Sequence, residues 1–225
     1  MSTNVQITPR ALKFNKISYF RANAESNFIG AIGEMRHPLG KSSFMEVKDQ
    51  VPAPKLKKAQ VAIVDIDYAS TKKDDIAADV RPSQLKFAGG SISAMRSLVD
   101  RHQLRLMKVS VLNNDMEDAI NQSPKVLDDL IAWGKDARVV LQVWVLLSGQ
   151  LASQVKTGAS ASVDFTVNGV SVGLDAGRQA QSSTKLEFDA PCVFAYLPGS
   201  FDWDANAKKK RTRVVDIDMD QQGIG

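Results

Sequence analysis

Two alternations of apolar and polar residues meet at Asn168-Gly169 and place their apolar members on one face. Before that dipeptide Ala159, Ala161, Val163, Phe165 and Val167 share one parity, with Ser160, Ser162, Asp164 and Thr166 on the other. After it Val170, Val172, Leu174 and Ala176 alternate with Ser171, Gly173 and Asp175. A period of two marks a strand with unlike faces. A two-residue Asn-Gly loop favours a type I′ turn, because both central residues need positive φ. The register that follows pairs Val167 with Val170 and Phe165 with Val172. Such a hairpin can lie against a protein core or, if lengthened, set one face in hydrocarbon and the other in water.

The same reading, carried along the chain, predicts further elements. Residues 103–112 (QLRLMKVSVL) form a strand whose apolar parity switches between Leu106 and Met107, which predicts a bulge. Asp115 caps a helix running toward Gln122. Ser123 followed by Pro124 is an N-cap with proline at the first helical position, and residues 125–133 continue at helical spacing to a stop at Gly134. Residues 137–155 read as one long β segment. Residues 184–188 and 193–197 are a strand pair or one strand broken at Pro191, and VVDIDM is a last short strand. Upstream, residues 60–68 form a strand and residues 51–58 (VPAPKLKK) an exposed connection, since Pro52 and Pro54 block ladder hydrogen bonding. LKFNKISYF, residues 12–20, has strand composition; residues 27–40 are turn-rich; SISAMRSLV reads equally as a short helix or a strand. The expected class is α+β: a mainly antiparallel twisted sheet with helices packed on one side and long amphipathic hairpins. One domain, 1–225, is expected, with an ill-defined segment 1–58, a β-rich core 59–204 and a basic, then acidic tail 205–225.

Composition narrows the chemistry. Apolar residues make up 44% of 225, enough for a core, and no run of 18 apolar residues offers a spanning helix. The richest stretch, residues 137–147, is interrupted by Arg138 and Gln142. MSTNVQITPR carries no apolar segment, so the expectation is cytoplasmic synthesis without a secretory signal. Cys192 is the single cysteine and reads as a buried, inert thiol. The 2 histidines, His37 and His102, lack partners at metal-ligand spacing, and no nucleophile elbow, phosphate loop or dinucleotide fingerprint is present. No catalysis, cofactor or metal is expected. Val-Asp-Ile-Asp occurs at 64–67 and 215–218; Asp65 and Asp67, and Asp216, Asp218 and Asp220, read as solvated strand faces in preference to ligands for a hard cation. Net charge is +4. Lys55, Lys57 and Lys58, with Lys208, Lys209, Lys210, Arg211 and Arg213, read as solvated linkers or as contacts for anionic phosphates. Without interleaved aromatic residues, anionic lipid fits them better than nucleic acid.

From residues 103 to 204 the order of elements resembles the gasdermin pore-forming domain, in its compact bacterial and fungal form. The strand LRLMKVSVL is followed by a helical pair ending VLDDLIAWG, then by ARVVLQVWVLLSG, by the amphipathic hairpin, and by TKLEFDAPCVFAYLPGSFDWD. The resemblance implies a cell-death or antiviral defence protein, soluble in the cytoplasm, that homo-oligomerises after release by proteolysis or assembly and inserts β-hairpins into anionic membranes. On that reading Val163, Phe165, Val167, Val170, Val172 and Leu174 face lipid; Ser162, Asp164, Thr166 and Ser171 face the lumen; and the eight basic residues named above contact anionic lipid. An equivalent first hairpin would come from residues 60–112. The family's N-terminal lipidated cysteine has no counterpart here, and KKKRTRVVDIDMDQQGIG is short for an inhibitory clamp. The alternative is a non-enzymatic assembly subunit, of a phage or another multi-subunit particle, that pairs its hairpin with neighbouring subunits.

Overall fold

An apolar run without an exposed parity must be covered on both faces, and in the computed structural model residues 137–148 form such a strand, buried from Ala137 through Leu147. The structure describes residues 5–52, 55–56, 59–77, 92–150, 152–153, 165–167, 170–172, 193–204 and 213–221. Its strands are β1 (Gln6–Ile7), β2 (Ala11–Phe14), β3 (Ile17–Phe20), β4 (Ala31–Arg36), β5 (Phe44–Gln50), β6 (Ala59–Asp65), β7 (Leu104–Val111), β8 (Ala137–Ser148), β9 (Phe165–Val167), β10 (Val170–Val172), β11 (Val193–Trp203) and β12 (Val214–Met219). Its α-helices are α1 (Lys73–Ala77), α2 (Ile92–Asp100), α3 (Asn113–Asn121) and α4 (Pro124–Trp133).

The protein is α+β, and its main sheet is antiparallel apart from one parallel bridge, Val5 to Ile66. β8 is the hub. One of its edges pairs with β11; the other pairs with β4 over Ala137–Val139 and with β7 over Gln142–Ser148. β11 in turn borders β3 at Tyr196 and β12 from Gly199 to Trp203. The sheet curls, so that the Met45 N–H of β5 donates to Tyr196 Oη at 2.8 Å and that hydroxyl donates to the Ala22 carbonyl at 3.2 Å. Odd residues of β8 and β7 join one core with Met116, Ile120, Val126 and Leu130 of α3 and α4. Leu104 and Leu106 of β7 and Trp144 and Leu146 of β8 join a second core on the opposite face, to which α1 and α2 add Ile76, Met95 and Val99. The larger helical layer therefore lies on one side and a smaller pair on the other.

Several sequence expectations change. β7 has no bulge: it pairs in continuous register with β6 and β8, and Leu106 and Met107 are both buried because both faces are covered. Residues 12–20 are two strands about a turn at Asn15 and Lys16, whose φ values are 49° and 70°. Residues 27–40 contain β4, where Gly33 marks a register shift against β5 and a Cβ would collide with the Glu46 carbonyl. α3 begins at Asn113, before Asp115, with Leu112 at the cap position. Ser123 does precede α4, but its hydroxyl donates backward to the Ala119 carbonyl at 2.7 Å instead of capping. Gly134 ends α4 with φ 66°, and its N–H donates to the Leu130 carbonyl. β8 stops at Ser148; Gly149, Gln150, Ala152 and Ser153 are helical. β11 runs on to Trp203, absorbing Pro198 at a register shift. Residues 184–188 and Cys192 lie outside the described residues.

Candidate membrane-insertion strands

β6, β7, β8 and β11 are neighbours in that order and alternate in direction. Asp65 pairs with Arg105, Leu104 with Ser148 and Val193 with Val145, so the end of β6, the start of β7, the end of β8 and the start of β11 share one end of the sheet. Both long connections, residues 66–103 and 149–192, leave from that end. At the opposite end the α3–α4 pair joins β7 to β8. The unit is thus two antiparallel pairs side by side, each with its connection directed the same way.

The sequence-derived hairpin forms in the register expected. Val170 pairs with Val167, Ser171 with Thr166 and Val172 with Phe165, in a two-stranded sheet of its own apart from the main one. The turn Asn168-Gly169, the outer lipid-face positions Val163 and Leu174, and Ser162 and Asp164 lie outside the described residues. Connection 66–103 carries α1 and α2 and no sustained alternation.

Of the basic candidates, Lys55 and Arg213 are described. Lys55 Nζ donates to the Gln122 carbonyl, and Arg213 Nη2 stands 3.7 Å from Glu117 Oε1. Both therefore sit beside α3, at the end remote from the long connections, about 25 Å away for an eight-residue strand. Lys57, Lys58, Lys208, Lys209, Lys210 and Arg211 lie outside the described residues. Near Lys55, β5 and the start of α4 border a cleft of about 460 Å³ lined by Asp49, Ser123 and Lys125 among others. Lys125 bonds Asp49 and Asp129 there, which holds the Asp49 carboxyl below its ordinary range and raises the lysine.

Four polar anchors escaped the sequence reading. Arg138, which interrupts the apolar run, is buried and donates from Nε to Asp220 Oδ2 at 2.6 Å. Gln142, the second interruption, accepts the Tyr19 hydroxyl at 3.0 Å. Arg21 is buried at the long-connection end; it donates to the carbonyls of Thr8 and Asp75 at 2.5 Å and stacks over Phe194 at 4.2 Å, tying α1 to the sheet. Tyr68 closes the same end, its hydroxyl donating to the Leu104 carbonyl at 2.9 Å and accepting the Leu104 N–H at 2.7 Å; burial pushes its pKa up to about 12. A lone polar residue inside an apolar run was the available signal for Arg138 and Gln142. Its meaning depended on knowing that both faces are covered.

Asp65 pairs with Arg105, Asp67 Oδ1 accepts the Ala69 N–H at 3.0 Å, and Asp216 Oδ1 accepts the Ile217 N–H at 2.8 Å, so these repeat aspartates serve the local backbone and its ion pairs. Among the described residues no group of three His, Cys, Asp or Glu side chains could hold a metal ion, and no helix is long and apolar enough to cross a membrane. No protein-family model, curated protein or solved structure matches this chain.

Proposed function

We propose that this chain is a gasdermin-like, non-enzymatic pore former, which homo-oligomerises on anionic membranes and inserts β-hairpin strands. The observation that carries the reading is the four-strand meander whose two long connections leave from one end, one of them bearing an amphipathic ribbon. Four alternating strands set β6 and β11 in opposite directions, so subunits joined between these two strands would close a ring without a parallel seam once β3 and β12 leave the outer side of β11. Closure satisfies every backbone N–H and C=O, which hydrocarbon requires. Lipid contact belongs to Val163, Phe165, Val167, Val170, Val172 and Leu174. The basic residues Lys55, Lys57, Lys58, Lys208, Lys209, Lys210, Arg211 and Arg213 contribute to initial attraction to an anionic surface and are expected to set its salt dependence.

The test is dye release from vesicles rich in anionic lipid, before and after limited proteolysis. Release by the native chain, abolished by Val172→Asp at unchanged thermal stability, supports the reading. Absence of release under every condition overturns it. A second reading, an assembly subunit, is favoured by β6: among the described residues its outer side meets only the Val5 bridge to Ile66. Large particles in lipid-free solution would favour that reading.

A further inference from the structure

The registers of β6, β7 and β8 set side chains in rows across the second face of the sheet. Val64, Leu106 and Leu146 form one row, Ala62, Lys108 and Trp144 the next, and Gln60, Ser110 and Gln142 the one after. The first row is buried in the core that α1 and α2 cover. On β6 that cover ends at once, since Ala62 and Gln60 are exposed although Val64 is buried. On β8 the β2–β3 hairpin takes over, with Phe14 and Tyr19 edge-on to Trp144 at 5.1 and 5.4 Å between ring centroids. Lys108 and Ser110, both partly exposed, lie in the strip between the two covers.

Among the described residues this strip holds donors without acceptors. The Lys108 ammonium has no hydrogen-bond or ion-pair partner there, and burial is the whole cause of its lowered pKa, so no carboxylate offsets it. The Ser110 hydroxyl is unpartnered too, and Trp144 Nε1 is buried without an acceptor. Gln142 Oε1 is already engaged, accepting the Tyr19 hydroxyl at 3.0 Å. Lys48 and Lys73, by contrast, meet Glu46 at 3.1 Å and Asp100 at 2.7 Å. A partly desolvated cation with no counter-charge is costly, and an anion from outside the chain would remove that cost.

We infer that the strip around Lys108 is a binding site for a small organic carboxylate, whose charge meets the Lys108 ammonium and the Ser110 hydroxyl and whose apolar part rests against Ala62 and Phe14. A single ammonium neutralises a single negative charge, and the residues beside it in the row, Ala62 and Trp144, are apolar. A monoanion with a hydrophobic body therefore fits better than phosphate, which would bring a second charge without a partner. The bond is charge-assisted, so affinity is full while Lys108 is protonated and falls as pH rises through the lysine's lowered value. This site stands apart from the ribbon of β9 and β10 and does not depend on the proposed function.

Thermal melts of the full chain with benzoate test it, with benzamide as the uncharged counterpart. At ten times its Kd, benzoate at neutral pH should raise Tm by about 3–6 °C, and benzamide should not. Lys108→Met should lose the shift. Lys108→Arg, which keeps its charge at every accessible pH, should hold the shift under alkaline conditions where the native chain has lost it. Should Lys108→Met fail to fold, that difference in pH profile between the native chain and Lys108→Arg decides the matter. Equal shifts for benzoate and benzamide, equal shifts in the native chain and Lys108→Met, identical pH profiles for the native chain and Lys108→Arg, or no shift at any benzoate concentration overturns the inference.

Discussion

Asp220→Ala removes the carboxylate of a buried ion pair in the sheet. The side chains of Arg138 and Asp220 are 10% and 4% exposed, and they meet at 2.6 Å between the hub strand and the residue after β12. Removing the carboxylate strands a guanidinium in the core, where a broken buried pair costs about 3–5 kcal/mol. The lower end applies, because Arg138 Nη1 still donates to the carbonyls of Lys135 and Ala137 at 2.7 and 2.8 Å. A loss of about 3 kcal/mol lowers Tm by roughly 10 °C in a chain of this length. Urea unfolding followed by tryptophan fluorescence reads the loss, since Trp144 is fully buried. The double variant Arg138→Met/Asp220→Ala removes the stranded charge and should lie within about 1 kcal/mol of Asp220→Ala or above it, far from additivity. A cost below about 1 kcal/mol for Asp220→Ala, the value of a surface pair, would refute the burial on which the reasoning depends. So would strict additivity.

Three further substitutions probe β7, β4 and the β4–β5 connection. Lys108, half-buried on β7 with Ala62 and Trp144 as cross-strand neighbours, has its pKa lowered by desolvation. The folded state therefore holds this proton less tightly than the unfolded chain, and stability rises as pH climbs from the lowered value toward the ordinary 10.5. Lys108→Met should flatten that alkaline rise, checked by chemical denaturation across pH; an unchanged slope would count against it. Gly33→Ala forces a Cβ onto the Glu46 carbonyl and should cost more than about 2 kcal/mol. Gly40→Ala meets no atom within 4 Å and should cost about 1 kcal/mol through its φ of +70°. Thermal melts showing the reverse order would refute the packing at the β4–β5 bulge.

What could be read from the sequence followed from how many faces each element covers. The Asn168-Gly169 register was legible because one face alternates cleanly and the turn dipeptide fixes the pairing. α4 was legible from its proline start and glycine stop. β7 was misread because burial on two faces imitates a parity switch, and β4 because its Gly33 serves a bulge instead of a turn. Arg21 and Asp220 could not be found by spacing at all, since their partners lie tens of residues away in sequence. The basic residues were grouped by composition alone. The fold puts Lys55 and Arg213 beside α3, at the end of the sheet opposite the one from which the two long connections leave.

Under the proposed function, energetics link insertion to assembly. Six lipid-face side chains, from Val163 to Leu174, at about 1.5–3 kcal/mol each, give on the order of 10 kcal/mol per hairpin on leaving water. A lone hairpin would also carry two open edges into hydrocarbon. Along nine-residue arms about half of the N–H and C=O groups point outward, and each costs several kcal/mol without a partner. The open edges thus oppose insertion by more than the apolar face favours it. The sign reverses only when neighbouring strands supply those partners, and the outer strand β6 can do so because its outer side meets just the Val5 bridge among the described residues. Edge pairing between subunits must therefore precede entry of the ribbon into the bilayer or accompany it, and the small residues Ala159, Ala161 and Ala176 strengthen that dependence by lowering what a single hairpin gains alone.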